Sequence, residues 1–114
     1  MTAPIAAAAR KTILIVEDQD LMRTMLREFV QNAFPVWTIL ETGDGQDVVD
    51  LCSEHRPQVV LMDISLPGVN GIELTKQVRA TQPGTRVIIV SSHDGAALVE
   101  LARANGASEY ITKD

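Results

Sequence analysis

Three acidic residues, a hydroxyl and an amine fall at corresponding places in a chain of 114 residues. Each follows a short, largely apolar run: Glu17-Asp18 after Thr12-Ile13-Leu14-Ile15-Val16, Asp63 after Val59-Val60-Leu61-Met62, Ser91 after Arg86-Val87-Ile88-Ile89-Val90, and Lys113 after Tyr110-Ile111-Thr112. A carboxylate in such a place is tolerated only where a cation, hydrogen bonds or open water offsets its desolvation. Taken singly, each residue has a plain explanation, since strand-end aspartates cap loops and lysines near a chain end are commonly solvated. Four ends that conform together point to one cleft. Carboxylates sharing a cleft repel, and without a cation one of them takes up a proton. A hard divalent ion with oxygen ligands removes the conflict. Mg²⁺, which keeps several waters and takes one or two carboxylates plus phosphate oxygens, suits an open site better than Ca²⁺. A metal, an ammonium and a hydroxyl around one aspartate meet the charge of a phosphoryl group, with Asp63 as the nucleophile and an acyl phosphate as the product.

For these ends to meet, the runs must be strands of one sheet. The continuous apolar runs 12–16 and 59–62 predict strands buried on both faces. Between them, Met22, Met25, Leu26, Phe29 and Val30 recur at helical spacing, with Arg23, Thr24, Arg27 and Gln31 opposite. Asp20 is the expected N-cap of this helix, and Phe34-Pro35 stops it. Residues 36–41 predict a second strand, Thr42-Gly43-Asp44-Gly45 a turn, and 46–54 a helix with Val48, Val49, Leu51 and Cys52 inward. Val69-Asn70-Gly71 leads into a helix over 72–80, whose buried stripe draws on Ile72, Leu74 or Thr75, and Val78. Pro83-Gly84 ends it, 86–90 is the fourth strand, and a helix over 95–104 closes at Asn105-Gly106. Residues 110–112 form a short fifth strand.

Strand and helix alternate with short connections, which predicts an α/β fold with helices on both faces of a parallel sheet. The expected architecture is a doubly wound, flavodoxin-like, five-stranded sheet of order 2-1-3-4-5. That order places the first and third strands side by side at the topological switch point, with the cleft outside their carboxyl ends. Residues 1–11 are expected to be a flexible tail, and 12–114 a single domain.

The totals exclude several classes. The chain is 46% hydrophobic and 22% charged with a net charge of −5, so no basic stripe is available to meet nucleic-acid phosphates. A single cysteine, Cys52, forms no internal disulfide and reads as a small core residue in a reducing, cytoplasmic compartment. No apolar run reaches the length of a membrane span. Arg10-Lys11 follow the apolar opening residues instead of preceding them, which is the wrong order for a signal peptide.

Four segments together resemble the response-regulator receiver domain of two-component signalling: Leu14-Ile15-Val16-Glu17-Asp18; Val60-Leu61-Met62-Asp63-Ile64-Ser65-Leu66-Pro67-Gly68 with Gly71; Ile89-Val90-Ser91-Ser92; and Gly106-Ala107-Ser108-Glu109-Tyr110-Ile111-Thr112-Lys113. The resemblance implies that Asp63 is the phosphoacceptor, Asp18 the direct Mg²⁺ ligand, Glu17 an acidic partner acting mainly through water, and the Ser65 carbonyl the remaining protein ligand. It further implies that Ser91 is the switch hydroxyl, Lys113 its ion-pairing companion, and Tyr110 the aromatic that turns inward on activation. A sensor histidine kinase or phosphotransfer protein is the implied phosphodonor, docking near Asp20, Arg23, Thr24 and Arg27. An output domain or protein would meet the face around Val99, Arg103 and Tyr110, with transcription regulation as one output and a homodimer as one assembly. Two positions depart from the family pattern: Ser92 stands where alanine is common, and Asp114 stands where proline is common after the lysine.

Rival readings are weaker. Gly43-Asp44-Gly45 imitates a dinucleotide fingerprint, but Val48 occupies the third glycine position and Glu17-Asp18 would repel a pyrophosphate. A phosphatase with an aspartyl nucleophile resembles Asp-x-Asp, and Ser65 stands at the second acid. A degenerate receiver that only binds partners conflicts with the intact acidic, hydroxyl and lysine positions. The family also implies a fifth helix beyond the fifth strand, covering Ile13, Ile15 and Met25. Such a helix burying three large aliphatic side chains contributes roughly 5–9 kcal/mol of gross transfer energy. These residues are therefore expected to belong to a longer protein, or to cover that face by self-association or a partner.

Overall fold

In the computed structural model, residues 11–113 are described; the tail expected over 1–11 lies, Lys11 apart, outside them, as does Asp114. β1 (Thr12–Val16) is a run of β-branched residues and leucine with no glycine or proline to interrupt a ladder. It pairs in parallel with β2 (Thr38–Thr42) on one side and β3 (Val59–Met62) on the other. β4 (Arg86–Ser91) lies beyond β3, and β5 (Ala107–Thr112) forms the far edge. The order is β2-β1-β3-β4-β5, all parallel, as the alternation of elements predicts. Register aligns Val16 with Met62 and Ser91 with Thr112, so the residues that follow these pairs emerge together at one edge.

Leu14, Val16, Val60, Met62, Val87 and Ile89 face one side of the sheet. There they pack against Val48 and Cys52 of α2 (Val48–His55), Ile72, Leu74 and Val78 of α3 (Gly71–Thr81), and Ala102 of α4 (Ala96–Ala104). Ile13 and Ile15 face the other side and pack with Val30 and Leu26 of α1 (Asp20–Ala33), joined by Trp37 and Ile39. The second side is only half covered. An apolar groove of about 460 Å³ runs beside α1, with Phe29, Trp37, Leu61, Ile88, Val90 and Ile111 in its walls.

That groove accounts for several departures from expectation. Val59 and Leu61 are half-buried where burial on both faces is predicted. Phe29, expected inward, is 70% exposed, and Met25, whose expected cover is a fifth helix, is 54% exposed, because nothing among the described residues covers their side of α1. Ile15 keeps its cover and is fully buried, since Val30 and Leu26 pack with it; Ile13 lines the groove yet is nearly buried.

Other boundaries moved for local reasons. α1 is capped by Gln19 without a side-chain bond; Asp20 is its first residue, and its carboxylate is taken by Arg23 at 2.7 Å. β2 starts at Thr38 because the chain turns first, the Trp37 N–H donating to the Phe34 carbonyl. α2 begins at Val48 after one 3₁₀ turn (Gly45–Asp47), where Asp44 accepts from the Gln46 N–H at 2.9 Å. β5 starts three residues earlier than predicted, at Ala107, carried by a register shift opposite Val87 and Ile88. A small hairpin pairing Ser65–Leu66 with Val69–Asn70 was not anticipated. Its Pro67-Gly68 tip, with Gly68 at φ 74°, suits the second central position of a type II turn.

Gly71 is the contact that holds the β3 end in place. Its N–H donates to the Ile64 carbonyl at 2.9 Å, and α3 starts there with Asn70 capping the Ile72 N–H at 2.7 Å. A Cβ on Gly71 would lie 1.9 Å from the Asp63 carbonyl oxygen. Helix propensity alone favours alanine over glycine by about 1 kcal/mol. Overpacking against backbone acts the other way and costs about 3 kcal/mol. Gly71→Ala is therefore expected to destabilise the protein by about 2 kcal/mol net, read by urea denaturation. An unchanged or stabilised variant would show that this contact yields.

Candidate functional site

The carboxyl edge of the sheet gathers the acidic residues by backbone bonds. The Glu17 N–H donates to the Thr42 carbonyl and the Asp63 N–H to the Val16 carbonyl, each at 3.1 Å, which continues the ladder past the end of β1 and β3. The carboxylates of Glu17, Asp18 and Asp63 can each present an oxygen within 4.8 Å of the others. Glu17 and Asp63 are buried, at 1% and 7% exposure, and Asp18 is the most accessible of the three.

Lys113 enters this cluster from the end of β5. Its Nζ lies 2.6 Å from Oε1 of Glu17 and 3.3 Å from Oδ2 of Asp63. The Lys113 N–H donates to the Ser91 carbonyl at 2.7 Å, so the β4–β5 ladder aims the side chain. Burial pushes the Glu17 carboxyl above its ordinary 4.5; the Lys113 bond and the Gln19 N–H pull it down, and the charge of Asp63 pushes it up again. For Lys113, burial favours loss of the proton, but the hydrogen bond it donates to Glu17 and the charges of Asp63 and Glu17 outweigh it, and its value rises above 10.5.

The signs follow. A raised Lys113 adds stability that is present below 10.5 and lost as pH climbs through its folded value. A raised Glu17 favours the fold in acid, below 4.5, and that advantage is lost as pH rises through its folded value. The cleft thus gathers three carboxyl groups around a single ammonium.

Ser91 is fully buried, and its Oγ accepts the His93 N–H at 3.1 Å. Tyr110, half-buried against the core, donates its hydroxyl to the His93 carbonyl. Ser65 is exposed at the start of the small hairpin, with its Oγ 3.0 Å from Nε2 of His93. The structure thus brings Glu17, Asp18, Asp63 and Lys113 into one cluster, with Ser91 tied to Lys113 through the backbone. Ser65 and Tyr110 meet at His93, which sequence reasoning passed over. Its position two residues after Ser91, in the polar run Ser91-Ser92-His93-Asp94, was the available signal. Arg23, expected on the solvent side of α1, points instead to Glu41 and the Glu17 carbonyl. Burial pushes the Cys52 thiol up to about 11, which keeps it a protonated core residue.

A parallel sheet of this order with an acidic cluster at its carboxyl edge defines a CheY-like domain. The model of the response regulator receiver domain matches residues 13–114. The chain is 31% identical over 102 residues to the transcriptional regulatory protein DegU of Brevibacillus brevis, across 90% of this chain and 43% of that protein. It is 33% identical over 103 residues to the chemotaxis protein CheY of Halobacterium salinarum, across 90% of this chain and 84% of that one. A solved two-component response regulator of the LuxR family from Aurantimonas sp. SI85-9A1 superposes with a TM-score of 0.85 at 32% identity, over 93% of this chain and 76% of that chain. The chain belongs to the response regulator receiver domain family of two-component signalling. It spans less than half the length of the first transcriptional regulators it matches, 43% and 46%. No helix among the described residues is long and apolar enough to cross a membrane.

The Lys113 contacts yield a pH-dependent test. Removing one partner of a buried pair leaves the other charge uncompensated, at a cost of about 3 kcal/mol. Lys113→Met in metal-free buffer is expected to lose that much at pH 8, with the loss shrinking as the pH is lowered from there, because burial favours the protonated form of Glu17 once the ammonium is gone. Urea denaturation across that range checks it. Equal losses at both ends would contradict the pairing.

Proposed function

We propose that Asp63 accepts a phosphoryl group from the phosphohistidine of a sensor kinase or phosphotransfer protein. A carboxylate oxygen of Asp63 forms a bond to phosphorus as the bond to the donor nitrogen breaks, leaving an acyl phosphate. The observation that carries this reading is the Lys113 ammonium shared by Glu17 and Asp63 inside the acidic cluster. The donor set is all oxygen, carries more charge than the lysine offsets, and is open at Asp18, which fits Mg²⁺. Glu17, Asp18 and Asp63 would hold the ion together with the Ser65 carbonyl. When bound, it supplies charge stabilisation to the transferring oxygens.

On this reading Lys113 holds the Asp63 side chain and meets charge on the product. Ser91 follows the phosphoryl group and carries the β4–α4 loop with it through the His93 N–H. Tyr110 reports the change through its hydroxyl on the His93 carbonyl. Phosphorylation thereby biases two conformers of the α4–β5 face, where an output partner or domain would read it. The activity is confined to the domain's own phosphorylation and dephosphorylation. The phosphatase alternative loses support because Ser65, at the place of the second acid, has its hydroxyl on His93. The groove beside α1 fits an apolar surface that docks there.

Incubation with acetyl phosphate and Mg²⁺ is expected to add one phosphoryl group by mass to the wild type and none to Asp63→Asn. A label on another residue, or equal labelling without metal, would overturn the assignment. Ser91→Ala is expected to retain Mg²⁺ binding while phosphorylation no longer shifts the amide resonances around Tyr110. Equal shifts in variant and wild type would remove Ser91 from the switch.

A further inference from the structure

Arg23 lies in the first turn of α1, and its guanidinium serves three acceptors. Nη1 donates to the backbone carbonyl of Glu17 at 2.9 Å, Nη2 to Oδ1 of Asp20 at 2.7 Å, and Nε to Oε1 of Glu41 on β2 at 3.3 Å. Arg27 takes the second oxygen of Glu41 at 2.8 Å. The backbone of Glu17 is therefore held on both flanks, its N–H donating to the Thr42 carbonyl and its C=O accepting from Arg23. Gly43 leaves the room for this reach. A Cβ there would lie 2.9 Å from Nη1 of Arg23, 3.5 Å from the Glu17 carbonyl oxygen and 3.7 Å from the Asp18 Cα.

An arginine on a helix surface normally pairs with carboxylates through water and contributes little. This one is only 20% exposed and ends on the backbone carbonyl immediately before Asp18. The Glu17 carbonyl and the Asp18 N–H and Cα belong to one planar unit, so fixing the carbonyl fixes the Cα that carries the Asp18 side chain and leaves φ as the backbone freedom that aims it. We infer that Arg23 is a positioning residue for the cation site: by gripping the Glu17 carbonyl it holds Asp18 in the orientation that presents its carboxylate to Mg²⁺. The inference rests on the reading that Glu17, Asp18 and Asp63 hold that ion.

Without the grip, the β1–α1 connection samples other wells, and the apparent affinity falls by the fraction left competent. Substitutions that free a metal ligand from its support typically cost about tenfold or more in affinity. Arg23→Ala is expected to raise the Mg²⁺ dissociation constant by about tenfold, read by calorimetry. The Mg²⁺ concentration for half-maximal labelling by acetyl phosphate should rise in step, with the plateau at saturating Mg²⁺ unchanged. Gly43→Ala, which displaces the guanidinium without removing it, should reproduce both effects. The double variant should be no worse than Arg23→Ala alone, because both substitutions break one contact. Arg23→Lys keeps the charge but lacks the three-way fork, and should recover only part of the affinity.

Wild-type affinity in Arg23→Ala and Gly43→Ala, or effects that add in the double variant, would overturn the inference. So would a lowered plateau with an unchanged dissociation constant. Should Arg23→Ala fail to fold, Gly43→Ala and Arg23→Lys decide the matter by the same readouts. Failure of the underlying reading looks different: the wild type itself would bind no Mg²⁺, or Asp18→Asn would bind it as well as wild type, and either result removes the inference with it.

Discussion

Two carboxylates at the end of a parallel sheet, largely withdrawn from water, share one ammonium. That shortage of positive charge is the constraint around which the rest of the structure is arranged. Glu17 and Asp63 stand beside each other because β1 and β3 are neighbours in register. Lys113 reaches them because β5 is registered on β4, with its own N–H on the Ser91 carbonyl. Bringing a third carboxyl group, Asp18, to the same place leaves the single ammonium outnumbered, a shortage that a divalent ion is suited to relieve. The site thus holds more carboxyl groups than cations, which is the feature on which the proposed metal and phosphoryl chemistry rests.

The surroundings restrict the site to a narrow set of geometries. Gly71 lets α3 start against the Asp63 carbonyl, where any side chain would collide with backbone. Gly43 lets Arg23 reach the Glu17 carbonyl from the other flank. Ser91, His93, Tyr110 and Ser65 form a second, softer layer at the mouth, joined by hydrogen bonds through one histidine. The inner layer is built on strand ends and backbone bonds. The outer layer converges on His93 in the β4–α4 loop, which ties Ser91 on β4 and Ser65 on the hairpin to Tyr110 on the edge strand. That division suits a domain in which chemistry at one carboxylate is read elsewhere.

The two faces of the sheet differ in kind. The face under α2, α3 and α4 is closed, with Leu14, Val60, Met62 and Val87 fully buried. The face under α1 carries an apolar groove, and Phe29 on α1 and Ile111 on the edge strand are exposed beside it.

Much of this was legible in the amino-acid sequence. Apolar runs ended by polar residues placed β1, β3 and β4 to within a residue, because strands inside the sheet keep apolar side chains on both faces until they reach the cleft. Their alternation with helices determined the sheet order, since parallel strands need crossovers and doubly wound sheets admit few orders. The acidic cluster and its lysine followed from that order. What only the tertiary structure decided concerns directions and cover. Met25 and Phe29 satisfy a helical stripe, yet whether a stripe is buried depends on what lies opposite, and periodicity carries no information about that. Asp20 has the chemistry of a cap, but Arg23, three residues on, competes for it and takes it. Arg23 reads as a surface residue by pattern; a contact with a carbonyl six residues back, through space left by Gly43, exists only once β1, β2 and α1 are assembled. Local pattern determines which elements form, because periodicity and turn chemistry act over a few residues. Which side chains meet across those elements is set by packing between segments far apart in the chain, and that is where this site acquired its geometry.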